Sequence, residues 1–552
     1  VSCTVQFEPS GTAVEIEPGR TLLEAARDAG IPLAAACGGR GTCGKCRVRI
    51  PGGPPSSVTD HEKKALTEAL RAGGWRLACQ YVVTSAVTAE TLLIRDSAKV
   101  EMPFTGRSFT PAPPMAGPRG ARSIGLRPKR GARAPLGCAV DLGTTNIALY
   151  LYRMDDGELL GAFGAGNPLS SWGADIITRL AHGARSPENG RELQRVLVKA
   201  VNLMAGHAAT AHGGTSEDIE EMVVVGNSGM HHLFLDLPGG QLIRAPYVPA
   251  VREAMSVTAR DLGVSMGRDG RVYMPPLVGG FVGSDLLAVA LSTRMEGRPG
   301  IRLAIDIGTN TEVLLSVDGM LHCCSTASGP ALEGAALRYG SLAEPGAIER
   351  MWIDDATGGL SYETVENRPV IGICGSGIID ALSCLRRRGE ISRTGVLRTG
   401  SARPPQEAGG EHRYVLAPAA DTALGVDLTI SQSEIRALQL AKGAIRAGIE
   451  TLLAVHGLDA GRLDEIVIAG TFGTHLHVGS AVEIGLLPRI PLDRIHQVGN
   501  AAGVGAAMML LSEDEREAGV ELCRSITHVE LSQQEGFRRR FAHAQWFPEE
   551  TA

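Results

Sequence analysis

Four cysteines near the start of the chain are spaced for cluster chemistry: Cys37-x5-Cys43-x2-Cys46 and, after a gap of 32 residues, Cys79. A binuclear iron–sulfur centre needs four thiolates, two for each iron, and its bridging sulfides carry negative charge that backbone N–H groups answer best. Gly38, Gly39, Gly41 and Gly44 fall among those thiols. Residues without a Cβ let a loop curl around a cluster and bring its N–H groups close. The plainer alternative is zinc, but zinc ribbons pair two C-x2-C knuckles. Here a single knuckle is preceded by a glycine-rich arm and answered by one distant cysteine. Cys37, Cys43, Cys46 and Cys79 are therefore the expected metal ligands.

A second chemistry is written twice. Val140-Asp141-Leu142-Gly143-Thr144-Thr145-Asn146 is echoed by Ile305-Asp306-Ile307-Gly308-Thr309-Asn310-Thr311. At such a turn the backbone N–H groups and threonine hydroxyls grip phosphate oxygens, while the aspartate orients Mg2+ or its water ligands. One copy is most often an ordinary β-turn. Two copies from facing halves can clamp a triphosphate, which makes Asp141 and Asp306 the expected catalytic carboxylates. Gly143, Thr144, Thr145 and Asn146, with Gly308, Thr309, Asn310 and Thr311, then hold the phosphates. The strand Ile466–Ile468 runs into Gly470-Thr471-Phe472-Gly473, a close backbone approach suited to adenine or its ribose.

The elements that must position these residues are legible around them. Thr4–Phe7 and Ala13–Ile16 read as strands about the Ser10-Gly11 turn, Thr21 caps a helix carrying Leu22, Leu23 and Ala26, and Thr59/Glu62 forms a second helix-capping box. Val223–Gly226 with Asn227 echoes Ile466–Gly470, and Gly283-Ser284-Asp285 before an apolar helix is matched by Gly503-Val504-Gly505 before another. Three paired landmarks in one order predict a duplicated α/β half-domain. Residues 95–137 are rich in Pro, Gly and Arg without sustained periodicity, which predicts a flexible linker. The expected organisation is 1–94 for the cluster module, 95–137 for the linker, and 138–552 for the nucleotide domain. That domain divides into halves of roughly 138–300 and 301–520, plus a C-terminal extension. Such a tether leaves closure of the nucleotide clamp no evident route to the cluster.

Composition bounds the rest. Aromatic residues make up only 4% of the chain, which suits α/β layers better than an aromatic-rich sandwich. A formal balance of 54 basic and 60 acidic residues argues for neither a nucleic-acid nor a membrane-surface partner. No apolar run is long enough to span a bilayer, so a cytoplasmic protein is the expectation. There is no GxxxxGK[ST] and no GxGxxG after a strand, which excludes P-loop and Rossmann readings. Cys323, Cys324 and Cys374 have no metal spacing and are expected to be buried thiols. His231 and His232 beside a glycine turn are expected to be structural rather than metal or corrinoid ligands. Lys442, on the helix opened by Ser431/Glu434, is left between a nucleotide contact and a solvated lysine.

Residues 1–94 resemble the β-grasp 2Fe-2S ferredoxins, on the four cysteines and their glycines. Residues 138–511 resemble the actin/sugar-kinase/Hsp70 superfamily through its two phosphate motifs and its adenosine motif, which implies Mg2+ and ATP as cofactors beside the 2Fe-2S cluster. The whole arrangement, with the Gly226-Asn227-x-x-Met230-His231-His232-Leu233 segment, resembles the reductive activators of corrinoid proteins. That resemblance implies an ATP-dependent enzyme carrying one electron from the cluster to Co(II) to regenerate Co(I) for methyl transfer. It also implies a corrinoid protein of a methyltransferase system and an upstream electron donor as partners, with a homodimer through the ATPase domain left open. Ferredoxin-type clusters lie near about −400 mV, and each 100 mV uphill costs an electron roughly 2.3 kcal/mol, a gap within reach of ATP. The alternatives are an activator of a radical dehydratase or reductase, and a non-enzymatic electron carrier on an ATP-binding scaffold.

Overall fold

A computed structural model describes residues 2–8, 11–31, 33, 35, 37–42, 44–51, 57–66, 68–91, 95–96, 134–334, 337–341, 343–398, 406–408 and 411–549. Two compact units emerge, one of Val1–Glu296 with Asn500–Ile526 and one of Gly297–Gly499 with Thr527–Ala552.

Within the first unit, the N-terminal module is a five-stranded mixed sheet. Cys3–Glu8 pairs antiparallel with Thr12–Ile16 and parallel with Val87–Glu90. Alternation along the first strand buries Cys3, Val5 and Phe7. Thr21 and Glu24 cap each other reciprocally at the start of helix Leu22–Ala29, and Gly30, at φ 74°, closes it. The helix lays Leu22, Leu23, Ala25 and Ala26 on the sheet. Each fully buried Leu or Phe there contributes roughly 1.5–3 kcal/mol. This is the α+β grasp of a ferredoxin. The predicted Thr59/Glu62 capping box opens helix Asp60–Ala65, whose Glu62 is fully buried and paired with Arg76 at 2.8 Å.

Two further sheets share one topology. In the first unit, Leu136–Leu142 lies parallel to Ile219–Val225 and antiparallel to Asn146–Arg153, which pairs antiparallel with Leu159–Gly166. In the second, Ile301–Asp306 lies parallel to Glu465–Ala469 and antiparallel to Thr311–Val317, which pairs antiparallel with Met320–Thr326. The repeat read from the sequence is thus a repeat of structure. Each Asp-x-Gly-Thr occupies the same hairpin turn, and Asp141 and Asp306 end strands in register with Val225 and Ala469.

The third landmark has a different consequence. Helices Ser284–Thr293 and Ala501–Leu511 pack on one another in the first unit. A Cβ on Gly505 would stand 2.2 Å from Ala288 O, so only glycine permits this approach. Most of the interval expected as a linker lies outside the described residues. Its Arg95–Asp96 forms a short strand against Phe163–Gly164. Among the described residues no helix is long and apolar enough to cross a membrane.

Candidate functional site

The thiol loop follows helix Leu22–Ala29. Cys37, Cys46 and Cys79 are buried, while Cys43 lies outside the described residues. The Ala78 N–H donates to Cys46 O at 2.8 Å, tying the knuckle to the distant cysteine. Hydrogen bonding from Cys46 chiefly, then from the Gln80 amide and the Gly41 N–H, lowers the Cys79 thiol to about 7 against the opposing effect of burial. A large share of it is therefore thiolate near neutral pH, the form that binds iron. All four loop glycines are left-handed, with φ of 66° at Gly38, 90° at Gly39, 77° at Gly41 and 64° at Gly44. A Cβ on Gly41 would meet Gln80 Nε2 at 2.8 Å and His61 Cγ at 2.9 Å. Among the described residues no group of three or more His, Cys, Asp or Glu side chains could hold a metal ion. A binuclear cluster divides its thiolates two and two. Converging thiols and a cradle of left-handed glycines fit that cluster.

The first phosphate turn is backed by buried polar side chains. Asn167 Nδ2 donates to Gly143 O at 2.8 Å and its backbone N–H to Thr145 O at 2.7 Å. Arg179, fully buried on helix Ile176–Gly183, donates to Thr144 O at 2.6 Å. Asn227, which caps helix Ser228–Phe234, donates to Thr144 Oγ1 at 2.9 Å. With its carbonyls held from behind, the turn can face a ligand with its N–H groups. The half-buried Asp141 accepts from Asn500 Nδ2 at 2.9 Å. Burial lifts Asp141 to about 6, Asn500 opposing, and lifts its neighbour Asp285 to about 7, with the charge of Asp141 adding to the rise. Two carboxylates thus share this corner. The Gly283-Ser284-Asp285 landmark reaches it because Ser284 N–H donates to Gly226 O at 3.0 Å.

The second turn has its own backing. Thr309 Oγ1 donates to Glu333 at 2.9 Å, Thr311 Oγ1 lies 2.9 Å from Ser328 Oγ, and Gly329 N–H donates to Thr309 O at 2.9 Å. The Ser328–Gly334 segment therefore closes on the turn. Gly470, at φ 89°, lies so near Asp306 that a Cβ would stand 2.7 Å from its Oδ1. Phe472 packs on Gly375, where a Cβ would meet its ring at 2.2 Å, and Gln497 Nε2 donates to Gly473 O at 2.5 Å. Within the second unit, Asp306, Gly470 and Phe472 are thus assembled around the end of one strand pair.

Several residues that the sequence left ambiguous are resolved. His232 is fully used: its ring lies 2.7 Å from Ser228 O through Nδ1, and Nε2 accepts from Ala250 N–H at 2.9 Å. His231 is equally buried, and burial pushes it down to about 3, so it is neutral. Cys323 and Cys324 are buried neighbours on one strand and point to opposite faces of the sheet. Lys442 is neither solvated nor a nucleotide contact. Its Nζ is buried and donates to Ala544 O at 2.6 Å and Trp546 O at 2.8 Å.

Comparison with known proteins matches three stretches of the chain. The model for the 2Fe-2S iron-sulfur cluster binding domain covers 5–84, that for the RACo middle region covers 136–298, and that for the C-terminal domain of RACo, the ASKHA domain, covers 300–552. Corrinoid activation enzyme RamQ of Eubacterium limosum is 29% identical over 94% of this chain and 95% of its own. The [Co(II) methylated amine-specific corrinoid protein] reductase of Methanosarcina barkeri is 24% identical over 73% of this chain and 75% of its own. The solved structure of a reductive activator for corrinoid, iron-sulfur protein superposes with a TM-score of 0.73 at 29% identity, covering 99% of this chain and 98% of that one. A 2Fe-2S domain precedes an ASKHA domain in this chain, and both the RACo middle and C-terminal models match it: the chain belongs to the RACo family, the reductive activators of corrinoid proteins.

Proposed function

We propose that this chain is an ATP-dependent reductase that returns the cobalt of a corrinoid protein from Co(II) to Co(I), readying it for methyl transfer. The observation that carries the reading is one chain joining the Cys79-centred thiol cradle to two Asp-x-Gly-Thr turns of identical topology. Residues 1–94 form the electron-carrying module and 138–552 the nucleotide-binding domain, with 95–137 between them.

Cys37, Cys43, Cys46 and Cys79 hold a 2Fe-2S cluster, which supplies a one-electron centre when bound. The Gln80 amide and the Gly41 N–H are aimed at the Cys79 thiolate, and burial of Cys37, Cys46 and Cys79 keeps water from them. Gly143–Asn146 and Gly308–Thr311 bind the phosphates of Mg-ATP with backbone N–H groups and hydroxyls. Asp141 and Asp306 orient Mg2+ or its waters, Asn500 fixing the orientation of the first. Gly470–Gly473 bind the adenosine. A cluster held by the four thiolates would pass one electron at a time, so each Co(II) reduced would call for one electron from an upstream donor.

The test is anaerobic mixing of the pre-reduced protein with a Co(II) corrinoid protein, with and without Mg-ATP, following Co(I) by absorbance. Co(I) should form faster with Mg-ATP, and a yield indifferent to nucleotide would refute the reading.

A further inference from the structure

The thiol module does not hang free of the nucleotide domain. Arg27, on helix Leu22–Ala29, donates through Nη2 to Ser171 O at 2.8 Å, and its guanidinium lies 4.4 Å from the Trp172 ring centroid. Ser170 Oγ donates to Leu33 O at 3.3 Å, Lys199 donates to Asp28 O, and Leu203 packs on the module's core. The contact is tight, because a Cβ on Gly30 would stand 2.4 Å from Lys199 Cβ. Burial lowers the Arg27 guanidinium below its ordinary value, opposed by the charges of Glu192, Glu24, Asp28 and Cys79.

What it seats upon matters as much. Ser171 and Trp172 belong to the short helical turn Pro168–Trp172, whose cap is Asn167. Asn167 is the residue whose amide and backbone N–H hold Gly143 O and Thr145 O. From the phosphate turn to the thiol module there are therefore two steps of direct bonding, through Asn167 and then through Arg27. The flexible tether expected from residues 95–137 is not the sole connection.

We propose that Arg27 is a positioning residue that seats the thiol module on the 167–172 segment, so that nucleotide bound at Gly143–Thr145 tightens the seat. This rests on the reading that Mg-ATP binds that turn. Phosphate that engages the turn's N–H groups quiets its backbone. Asn167, bonded to two of its carbonyls, loses mobility with it, and the ordering passes to Trp172 and Arg27. A stabilised seat fixes where the cluster faces its acceptor.

Hydrogen exchange of the full-length, cluster-loaded protein tests this, with magnesium and β,γ-imido-ATP as the probe. In the unaltered protein, exchange should slow in peptides spanning 140–148, 167–173 and 22–31, by about fivefold or more, the lower range of ordinary site-to-site coupling. Arg27→Ala, and Trp172→Ala from the other side of the contact, should keep the protection at 140–148 and lose it at 22–31, while Trp172→Phe should retain both. Protection at 140–148 without any at 22–31 in the unaltered protein would overturn the proposal and leave nucleotide binding standing. Protection at neither would remove the nucleotide reading and the proposal with it. Equal protection of 22–31 in both alanine variants would show that the Arg27–Trp172 contact does not carry the effect.

Discussion

Asn500 donates a 2.9 Å hydrogen bond to the Asp141 carboxylate across 359 residues of sequence. The same side chain caps helix Ala501–Leu511, accepting from Gly503 N–H at 2.8 Å. One amide thus fixes both the orientation of the proposed Mg2+-directing carboxylate and the start of the helix behind it.

Replacing Asn500 by Ala should weaken Mg-ATP binding by about tenfold, as expected from losing a hydrogen bond to a charged group worth ~1.5 kcal/mol. It should also lower stability by about 1 kcal/mol through loss of the cap. Calorimetric titration and chemical denaturation measure the two, and the visible spectrum of the cluster should not change. Unaltered affinity would mean that Asp141 needs no such partner.

The paired carboxylates predict a pH dependence of definite sign. Asp141 is lifted to about 6 and Asp285 to about 7, both by burial first. Between about pH 4 and pH 7 the native protein therefore holds protons that the unfolded chain has released, and nucleotide-free stability falls as pH rises through that window. Mg-ATP affinity should change in the opposite direction, rising with pH as the pair ionises. Asp285→Asn should flatten the upper part of both profiles, and parallel slopes in variant and parent would refute the assignment.

Gly41→Ala forces a Cβ into left-handed backbone at φ 77° and against Gln80 and His61. The conformational term alone costs roughly 1–2 kcal/mol, and the displaced loop would lose Gly41 N–H as a partner of Cys79. Iron and acid-labile sulfide per chain should fall well below those of the parent, as they should in Cys79→Ser. Asp306→Ala should instead lose ATP turnover and keep the reduced-cluster EPR signal.

Lys442 predicts a slope at alkaline pH. Burial brings it down to about 7 from an ordinary 10.5, so from about pH 7 to about pH 10 the unfolded chain binds the extra proton and stability rises with pH. In Lys442→Met this rise should disappear, as followed by denaturation at several pH values.

The cysteine spacing, the twin Asp-x-Gly-Thr turns and the capping boxes at Thr59/Glu62 and Ser431/Glu434 were legible because each is local, a pattern imposed by a ligand or a helix end on a few neighbouring residues. Asn500 and Arg179 carry no such mark, and the Gly283-Ser284-Asp285 landmark signals a repeat without showing that Asp285 meets Asp141. Each acts on a turn brought to it only by tertiary folding, and a lone Asn before an apolar helix signals a cap without naming what else its amide holds. The place of Lys442, which the sequence leaves open, is hidden for the same reason. Its charge predicts solvent, and the two carbonyls that receive it lie 102 and 104 residues further along the chain.

The glycine seam between Gly505 and Ala288 sets an order of events at the ribosome. Helix Ser284–Thr293 is synthesised with its unit but must wait for Ala501–Leu511, and at about 5–20 residues per second the delay is roughly 10 to 40 s. During that interval its buried face, with Leu286, Leu287, Val289 and Leu291, has no Ala501–Leu511 to cover it. Gly297–Gly499 lies wholly inside the gap, and its own unit is in turn completed only by Thr527–Ala552. Nascent chains truncated before Ala501 thus leave this apolar face for a chaperone to hold.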